Sequence, residues 1–152
     1  MDTIISNSPE ETQRLGEGWG LEARPGWIIG LSGDLGSGKT QLVKGIARGL
    51  GIVDRVSSPT FGLVNELEGG RLPFAHLDLY RLERLDEMEN AGLMDYLMEP
   101  SGLVVVEWVE RCWPGSNEPE GWMISSNRLR WVRFETTTPS QRRIQIEDFG
   151  NG

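Results

Sequence analysis

Cysteine and histidine are almost absent from this 152-residue chain, which contains one of each, Cys112 and His76. A single cysteine cannot form an internal disulfide, and one cysteine with one histidine cannot build a zinc cluster of those residues. Long apolar runs are also missing, since no stretch approaches the ~20 residues that a membrane-spanning helix needs. No secretory signal pattern is found at the start of the sequence. These absences predict a cytoplasmic protein that does not enter a membrane.

Positive charge is scarce, because 15 lysines and arginines face 23 acidic residues and leave a net charge of −8. Residues 78–120 hold eleven of the acids and only three arginines. Neutralisation of phosphates drives most nucleic-acid binding, so we expect no strong direct binding of DNA or RNA. A protein partner is the better hypothesis. The alternative for the acidic segment is an ordinary solvated face.

Residues 33–40 read Gly-Asp-Leu-Gly-Ser-Gly-Lys-Thr and match the phosphate-binding P-loop pattern G-x-x-x-x-G-K-[ST]. Its glycines let the backbone turn tightly beside a phosphate, and its N–H groups converge on the anion. Lys39 supplies a positive charge, and the Thr40 hydroxyl can ligate Mg²⁺. A strand-like run before the loop and helical spacing after it complete the required setting. We assign nucleotide binding to Gly33, Leu35, Gly36, Ser37, Gly38, Lys39, Thr40 and Gln41.

The remaining patterns predict a P-loop NTPase-like, three-layer α/β fold that spans residues 1–152 as a single domain. Ser8-Pro9-Glu10-Glu11 has the form of a capping box, so a helix is expected from about Pro9 to Trp19. Gly69-Gly70 favours an antiparallel hairpin between its flanking strands. Antiparallel hairpins beside a parallel P-loop half make the expected sheet mixed. The expected strands are 27–32, 61–67, 72–78, 102–107, 129–135 and 142–147, with helices after the P-loop and within 83–98 and a loop at 114–119.

A P-loop enzyme also needs an acid near its metal, usually at the end of an apolar strand. Two candidate strands end in such an acid, one in Asp78 and the other in Glu107. Mg²⁺ prefers oxygen ligands and keeps several waters, so one acid can hold metal-bound water while the other orients or deprotonates the attacking water. Which acid binds the metal directly stays open, and a strand-end carboxylate paired with an arginine is the alternative for each. His76 is expected to be a hydrogen-bonded, half-buried strand residue.

Two further segments have competing interpretations. Ser57-Ser58-Pro59-Thr60 lies between the P-loop helix and the hairpin, where a hydroxyl can sense the γ-phosphate through Mg²⁺. An ordinary proline-containing turn is the alternative there. Trp108 follows Glu107 and either approaches the nucleotide or belongs to the core or its rim.

Taken in order, the P-loop, Ser58-Pro-Thr60, His76-x-Asp78-x-Tyr80-Arg81 and Glu107-Trp108 resemble the TsaE (YjeE) family, over roughly residues 9–112. Members of that family are bacterial P-loop ATPases needed to form threonylcarbamoyladenosine at position 37 of tRNA. The resemblance implies ATP and Mg²⁺ as cofactors. It also implies a TsaD–TsaB-like protein complex as partner, which ATP hydrolysis resets between turnovers. The acidic segment 78–120 is then a hypothetical docking surface for that complex.

The resemblance also implies roles for single residues. Thr60 resembles a switch residue, Asp78 looks like the metal-side acid, and Glu107 looks like a metal-linked or catalytic acid. The start of the first helix, with Glu11 and Thr12, resembles the family segment beside the base of the nucleotide. The predicted catalytic residues are Glu107, Asp78 and Lys39, and the predicted metal ligands are Thr40, Asp78 and Glu107. The chain departs from the family at Leu67, where an aromatic residue is frequent, and at 113–128, which matches no family motif.

Other nucleotide chemistries fit the sequence less well than this hypothesis. A small-molecule P-loop kinase is the main alternative, but no compact arginine-bearing lid segment follows the P-loop half. A GTPase is disfavoured, because the sequence contains neither N-K-x-D nor D-x-x-G. The hypothesis of a nucleotide-binding scaffold without hydrolysis stays open. Substitution of Asp78 and Glu107 distinguishes it from an ATPase.

Overall fold

The computed structural model describes residues 2–34, 36–53, 64–80, 93–98, 100–109 and 128–149. The helices in this part of the chain are α1 (Pro9–Glu22), α2 (Lys39–Gly49) and α3 (Leu93–Met98). The strands are β1 (Asp2–Ser6), β2 (Trp27–Ser32), β3 (Val64–Leu67), β4 (Phe74–Asp78), β5 (Leu103–Glu107), β6 (Arg128–Thr136) and β7 (Arg142–Phe149). None of these helices has the length and apolar character needed to span a membrane.

The described strands form one mixed sheet of seven strands in the order β1-β7-β6-β2-β5-β4-β3. Strand β2 is central and pairs in parallel with β5 and β6, and β4 pairs in parallel with β5. The pairs β3–β4, β6–β7 and β1–β7 are antiparallel. The predicted mixed sheet is therefore confirmed. Because β2, β4 and β5 run in the same direction, the residues at their carboxyl ends meet at one edge of the sheet, where ligands of open α/β sheets bind.

Helices cover both faces of this sheet and confirm the predicted three layers. Alternate residues of a strand point to opposite faces, so each strand contributes to two separate clusters. The larger cluster joins Trp19, Leu42 and Ile46 of the helices to Ile29, Leu31 and Val105 of the sheet. The smaller cluster joins Leu97 of α3 to Ile28, Leu77 and Val106. That a single domain spans residues 1–152 stays a prediction, because parts of the chain lie outside the described residues.

Local structure follows the predicted signals with a few differences. The side chain of Ser8 accepts a hydrogen bond from the Glu11 amide at 3.1 Å and caps α1, which continues past its predicted end. The Glu11 carboxylate accepts from the Asn7 amide at 2.7 Å, one residue earlier than in the usual capping box. Strand β1 was not predicted, since its pairing with β7 depends on distant residues. Predicted structure at 61–63, 83–92 and 114–119 lies outside the described residues.

Four glycines bring α1 and the P-loop helix α2 into close contact. A Cβ atom placed on Gly45 would lie 2.0 Å from the carbonyl oxygen of Gln13, and one on Gly49 would lie 2.2 Å from that of Glu17. Gly16 and Gly20 face the carbonyl oxygens of Leu42 and Ile46 in the same way, at 2.4 and 2.3 Å. These neighbours are backbone atoms and cannot rotate aside. The close packing of α1 against α2 therefore depends on the absence of a Cβ atom at these four glycines.

The substitution Gly45→Ala is expected to destabilise the protein, because the new methyl group forces the two helix backbones apart. Overpacking of this kind costs about 1–3 kcal/mol, and about 1 kcal/mol lowers the melting temperature of a chain of this size by roughly 2–4 °C. Gly18→Ala is the matched control, since a Cβ on Gly18 meets nothing within 4 Å and alanine favours helix. Thermal unfolding should show a decrease for Gly45→Ala and a small increase for Gly18→Ala. Equal melting temperatures would contradict the packing argument.

Candidate nucleotide-binding site

The P-loop connects the carboxyl end of β2 to the first residue of α2. Its glycines Gly33, Gly36 and Gly38 have φ angles of 139°, 77° and 104°. Residues that carry a Cβ atom rarely adopt this backbone conformation. A Cβ on Gly33 would also lie 2.7 Å from the carbonyl oxygen of Phe134. The backbone therefore makes the tight turn that the sequence motif predicts. Leu35 lies outside the described residues.

Lys39 lies in the interior of the site, with 5% of its surface exposed. Its ammonium group donates a short hydrogen bond to the carbonyl oxygen of Gly33. The same group lies 3.6 Å from the centre of the Trp108 ring, a cation–π distance. Burial of a charge is costly unless it is compensated, and these two contacts supply part of that compensation. The positive charge is thus held beside the loop that is predicted to cradle phosphate.

The two predicted acids lie side by side. Asp78 ends β4, Glu107 ends β5, and the two residues are paired in the parallel register of these strands. Glu107 is buried, and its Oε2 atom lies 2.6 Å from Nε2 of His76. Because an ionised carboxylate can only accept, Nε2 carries the proton when Glu107 is charged. His76 is completely buried rather than half-buried, which corrects the prediction, since its strand lies between β3 and β5 and is covered on both faces.

Asp78 differs from Glu107 in its surroundings. It is only partly buried, and its Oδ1 atom accepts a hydrogen bond from the Tyr80 amide at 3.0 Å. Burial raises the pKa of the Asp78 carboxyl group above its ordinary value of 3.8, and the nearby Glu107 charge adds to this increase. The Tyr80 amide, His76 and Lys39 act in the opposite direction without cancelling it. The ionised form of this carboxylate is therefore disfavoured in the folded protein, and a nearby cation would stabilise it.

The substitution Asp78→Asn is expected to stabilise the nucleotide-free protein at neutral pH. A carboxyl group with a raised pKa binds its proton more tightly in the folded state, so stability falls as the pH rises from 3.8 through the folded pKa. Asparagine removes the charge and keeps an oxygen for the Tyr80 amide. We expect an increase in melting temperature of less than about 4 °C at pH 7.5, since the group is partly solvated. The increase should shrink as the pH falls, and a lower melting temperature at pH 7.5 would contradict the assignment.

One cleft of about 310 Å³ brings most of the predicted site residues together. Of those residues, its lining includes Thr12, Gly36, Ser37, Gly38, Lys39, Thr40, Gln41, Asp78 and Glu107. Gly33 does not line the cleft but holds the Lys39 ammonium group through its carbonyl oxygen. Glu11 does not line it either, because its carboxylate caps the start of α1. Its role beside the base, like that of Thr60 outside the described residues, stays a prediction.

Several lining residues lie outside the predicted set of site residues. For Trp108 the sequence leaves open an approach to the nucleotide, and the structure places it in the lining of the cleft. Tyr80 and Trp108 both line the cleft, and their ring centres lie 5.0 Å apart. Trp108 has a positive φ of 61°, which is unusual for a residue other than glycine. Pro139, Ser140 and Arg142 reach the cleft from the β6–β7 hairpin. No local pattern in the sequence marks the hairpin residues, because only the pairing of β6 with β2 brings them to the P-loop.

The donor set of the cleft suits a small hard cation. Thr40, Asp78 and Glu107 offer a hydroxyl and two carboxylates, and Mg²⁺ binds such oxygens together with phosphate and water. Within the described residues, no group of three or more His, Cys, Asp and Glu side chains forms a metal cage of its own. These residues therefore fit a metal ion that is bound together with a phosphate ligand.

Comparisons with known proteins give one consistent result. The family model described as threonylcarbamoyl adenosine biosynthesis protein TsaE matches residues 6–144. Proteins named tRNA threonylcarbamoyladenosine biosynthesis protein TsaE are 46% identical over 101 residues in Bacillus subtilis and 47% identical over 103 residues in Synechocystis. Each match covers 66% of this chain, and 62% and 65% of those two proteins. The crystal structure of Bacillus subtilis YdiB matches with a TM-score of 0.72 and 28% identity, covering 95% of this chain and 83% of that one.

Proposed function

Because the chain belongs to the TsaE family, we propose that it is the ATP-binding and ATP-hydrolysing subunit needed for threonylcarbamoyladenosine formation in tRNA. The main support is the cleft in which the P-loop, Lys39 and the acids Asp78 and Glu107 come together. Phosphoryl transfer requires a cradle of N–H groups, a positive charge, oxygen ligands for a metal and a group that positions water. The cleft contains a candidate for each of these.

In this mechanism Lys39 leaves the carbonyl oxygen of Gly33 and donates to the β- and γ-phosphates. The N–H groups at the start of α2 add further donors and a favourable dipole. Thr40 and Asp78 would hold Mg²⁺, which would neutralise phosphate charge. Glu107 orients or deprotonates the attacking water. His76 contacts one oxygen of that carboxylate and leaves the other available for the water.

The proposal extends to partners and setting. The chain acts on a TsaD–TsaB-like complex in the cytoplasm and hydrolyses ATP weakly without it. Its net charge of −8 argues for contact with protein rather than tRNA, since phosphates repel acidic surfaces. Thr60 would sense the γ-phosphate as a switch residue.

Reconstitution with a TsaD–TsaB pair tests this function. Mass spectrometry of tRNA should show many rounds of threonylcarbamoyladenosine formation only when the chain and ATP are both present. Pull-downs with and without ATP should show nucleotide-dependent capture of the pair. Equal modification without the chain would contradict the proposal. Release of a phosphorylated metabolite instead of inorganic phosphate would favour the small-molecule kinase.

A further inference from the structure

Arg142 joins the β6–β7 hairpin to the P-loop. Within the described residues its guanidinium group donates to the carbonyl oxygen of Ser37 from Nε at 3.1 Å and to that of Gly36 from Nη2 at 3.3 Å. Its Nη1 atom faces three hairpin carbonyl oxygens, those of Thr138, Pro139 and Gln141, at 3.0 to 3.3 Å. The planar fork of arginine allows one side chain to fix both segments at once.

The two P-loop contacts determine where the loop directs its N–H groups. A trans peptide group is planar, and its carbonyl and N–H bonds point in opposite directions. Since the Ser37 carbonyl points toward Arg142, the Gly38 N–H points away from it. The Ser37 amide is already turned into the loop, where it donates to the carbonyl of Asp34 at 3.1 Å. An anion nest needs carbonyls directed outward, and Arg142 holds two of them there.

The hairpin itself is anchored on the other side of the cleft. The side chain of Gln141 donates to Oδ1 of Asn7 at 2.9 Å, immediately before the start of α1. Arg142 lies opposite Ser6 of β1 in the sheet. The P-loop, the hairpin and the segment that precedes α1 are therefore linked through two adjacent residues.

We propose that Arg142 is a positioning residue of the nucleotide site, which fixes the Gly36 and Ser37 peptides so that the loop keeps its turn and the Gly38 N–H stays directed away from Arg142, toward the phosphate side. The proposal rests on the assigned ATP-binding function. The contacts of its guanidinium group are with carbonyl oxygens of the P-loop and the hairpin, so the role proposed for it is to position the loop. Without the guanidinium group these peptides can rotate. The loop must then return to its phosphate-binding conformation each time that nucleotide binds.

Arg143 provides a matched control. It is adjacent in β7, points to the opposite face, and pairs only loosely with Glu135 at 3.9 Å, where both side chains are exposed. Arg142→Ala and Arg143→Ala therefore remove the same charge from the same strand. We expect Arg142→Ala to weaken ATP and ADP binding about 10- to 100-fold and to raise the KM for ATP more than it lowers kcat. Arg143→Ala should stay within about twofold of the wild type.

Arg142→Lys keeps the positive charge but removes the guanidinium group, so it tests whether the geometry of the arginine matters rather than its charge. It also tests the proposal if the alanine variant does not fold. One ammonium group cannot hold the P-loop and the hairpin together, so we expect this variant to lose about 5- to 30-fold in ATP affinity, by calorimetry. Wild-type affinity in Arg142→Lys would overturn the proposal, as would equal affinities in the two alanine variants. A Lys39→Ala variant is measured in parallel. Unchanged ATP binding in that variant would refute the nucleotide site itself, and only its loss makes the Arg142 result a test of positioning.

Discussion

Replacing Lys39 with methionine is expected to weaken ATP binding about 10- to 100-fold and to reduce turnover by at least about 100-fold. Charged hydrogen bonds of this kind contribute about 1.5–3 kcal/mol, and the loss is larger where charge develops in the transition state. Methionine keeps most of the side-chain volume against the Trp108 ring and removes only the ammonium group. Calorimetric titration with ATP and a phosphate-release assay measure the two effects.

The stability of the same variant distinguishes a functional lysine from a structural one. The Lys39 charge is almost completely buried, so its removal relieves a desolvation cost. The nucleotide-free variant should therefore melt at the wild-type temperature or above it. Lys44→Met is the matched control, because Lys44 is the only other lysine and lies exposed on the same helix. Intact binding in Lys39→Met, or equal losses in both variants, would contradict the P-loop assignment.

Much of the candidate site can be predicted from local sequence patterns. The P-loop lies within eight consecutive residues, and its flanking strand and helix are recognisable from spacing alone, so β2, the loop and α2 follow from the sequence. The acids were located individually at strand ends. That Asp78 and Glu107 pair with each other depends on β4 and β5 being neighbours in register, which no local pattern determines.

What could not be predicted depends on contacts between distant segments. In the sequence Arg142 is recognisable only as the first residue of a strand. Its two contacts with the P-loop carbonyls of Gly36 and Ser37 exist because β6 pairs with β2. The short edge strand β1 is defined by its pairing with β7, more than a hundred residues away. The complete burial of His76 results from the inner position of β4 in the sheet together with the clusters packed on both faces of that sheet. In each case the contacts of the residue are determined by the order of the strands in the sheet, which the local sequence does not specify.

Changing Glu107 to glutamine is expected to reduce ATP turnover by about 100- to 10,000-fold, the range typical of a lost general base. Glutamine keeps the size of the side chain and an oxygen that can accept from Nε2 of His76. It cannot remove a proton from water. ATP binding should be unchanged or tighter, because a negative charge beside the phosphates has been removed. Single-turnover hydrolysis and calorimetric binding measure the two effects.

Glu107→Ala tests whether the loss in Glu107→Gln comes from chemistry or from instability. Alanine leaves Nε2 of His76 without its 2.6 Å partner in a fully buried position, which costs about 1–3 kcal/mol. Both variants should lose turnover to a similar degree, but only the alanine variant should melt at a lower temperature, by roughly 2–4 °C per kcal/mol. Turnover in Glu107→Gln within about tenfold of the wild type would transfer the water-positioning role to Asp78. A low melting temperature in Glu107→Gln would instead show that the carboxylate acts mainly as the partner of the buried histidine.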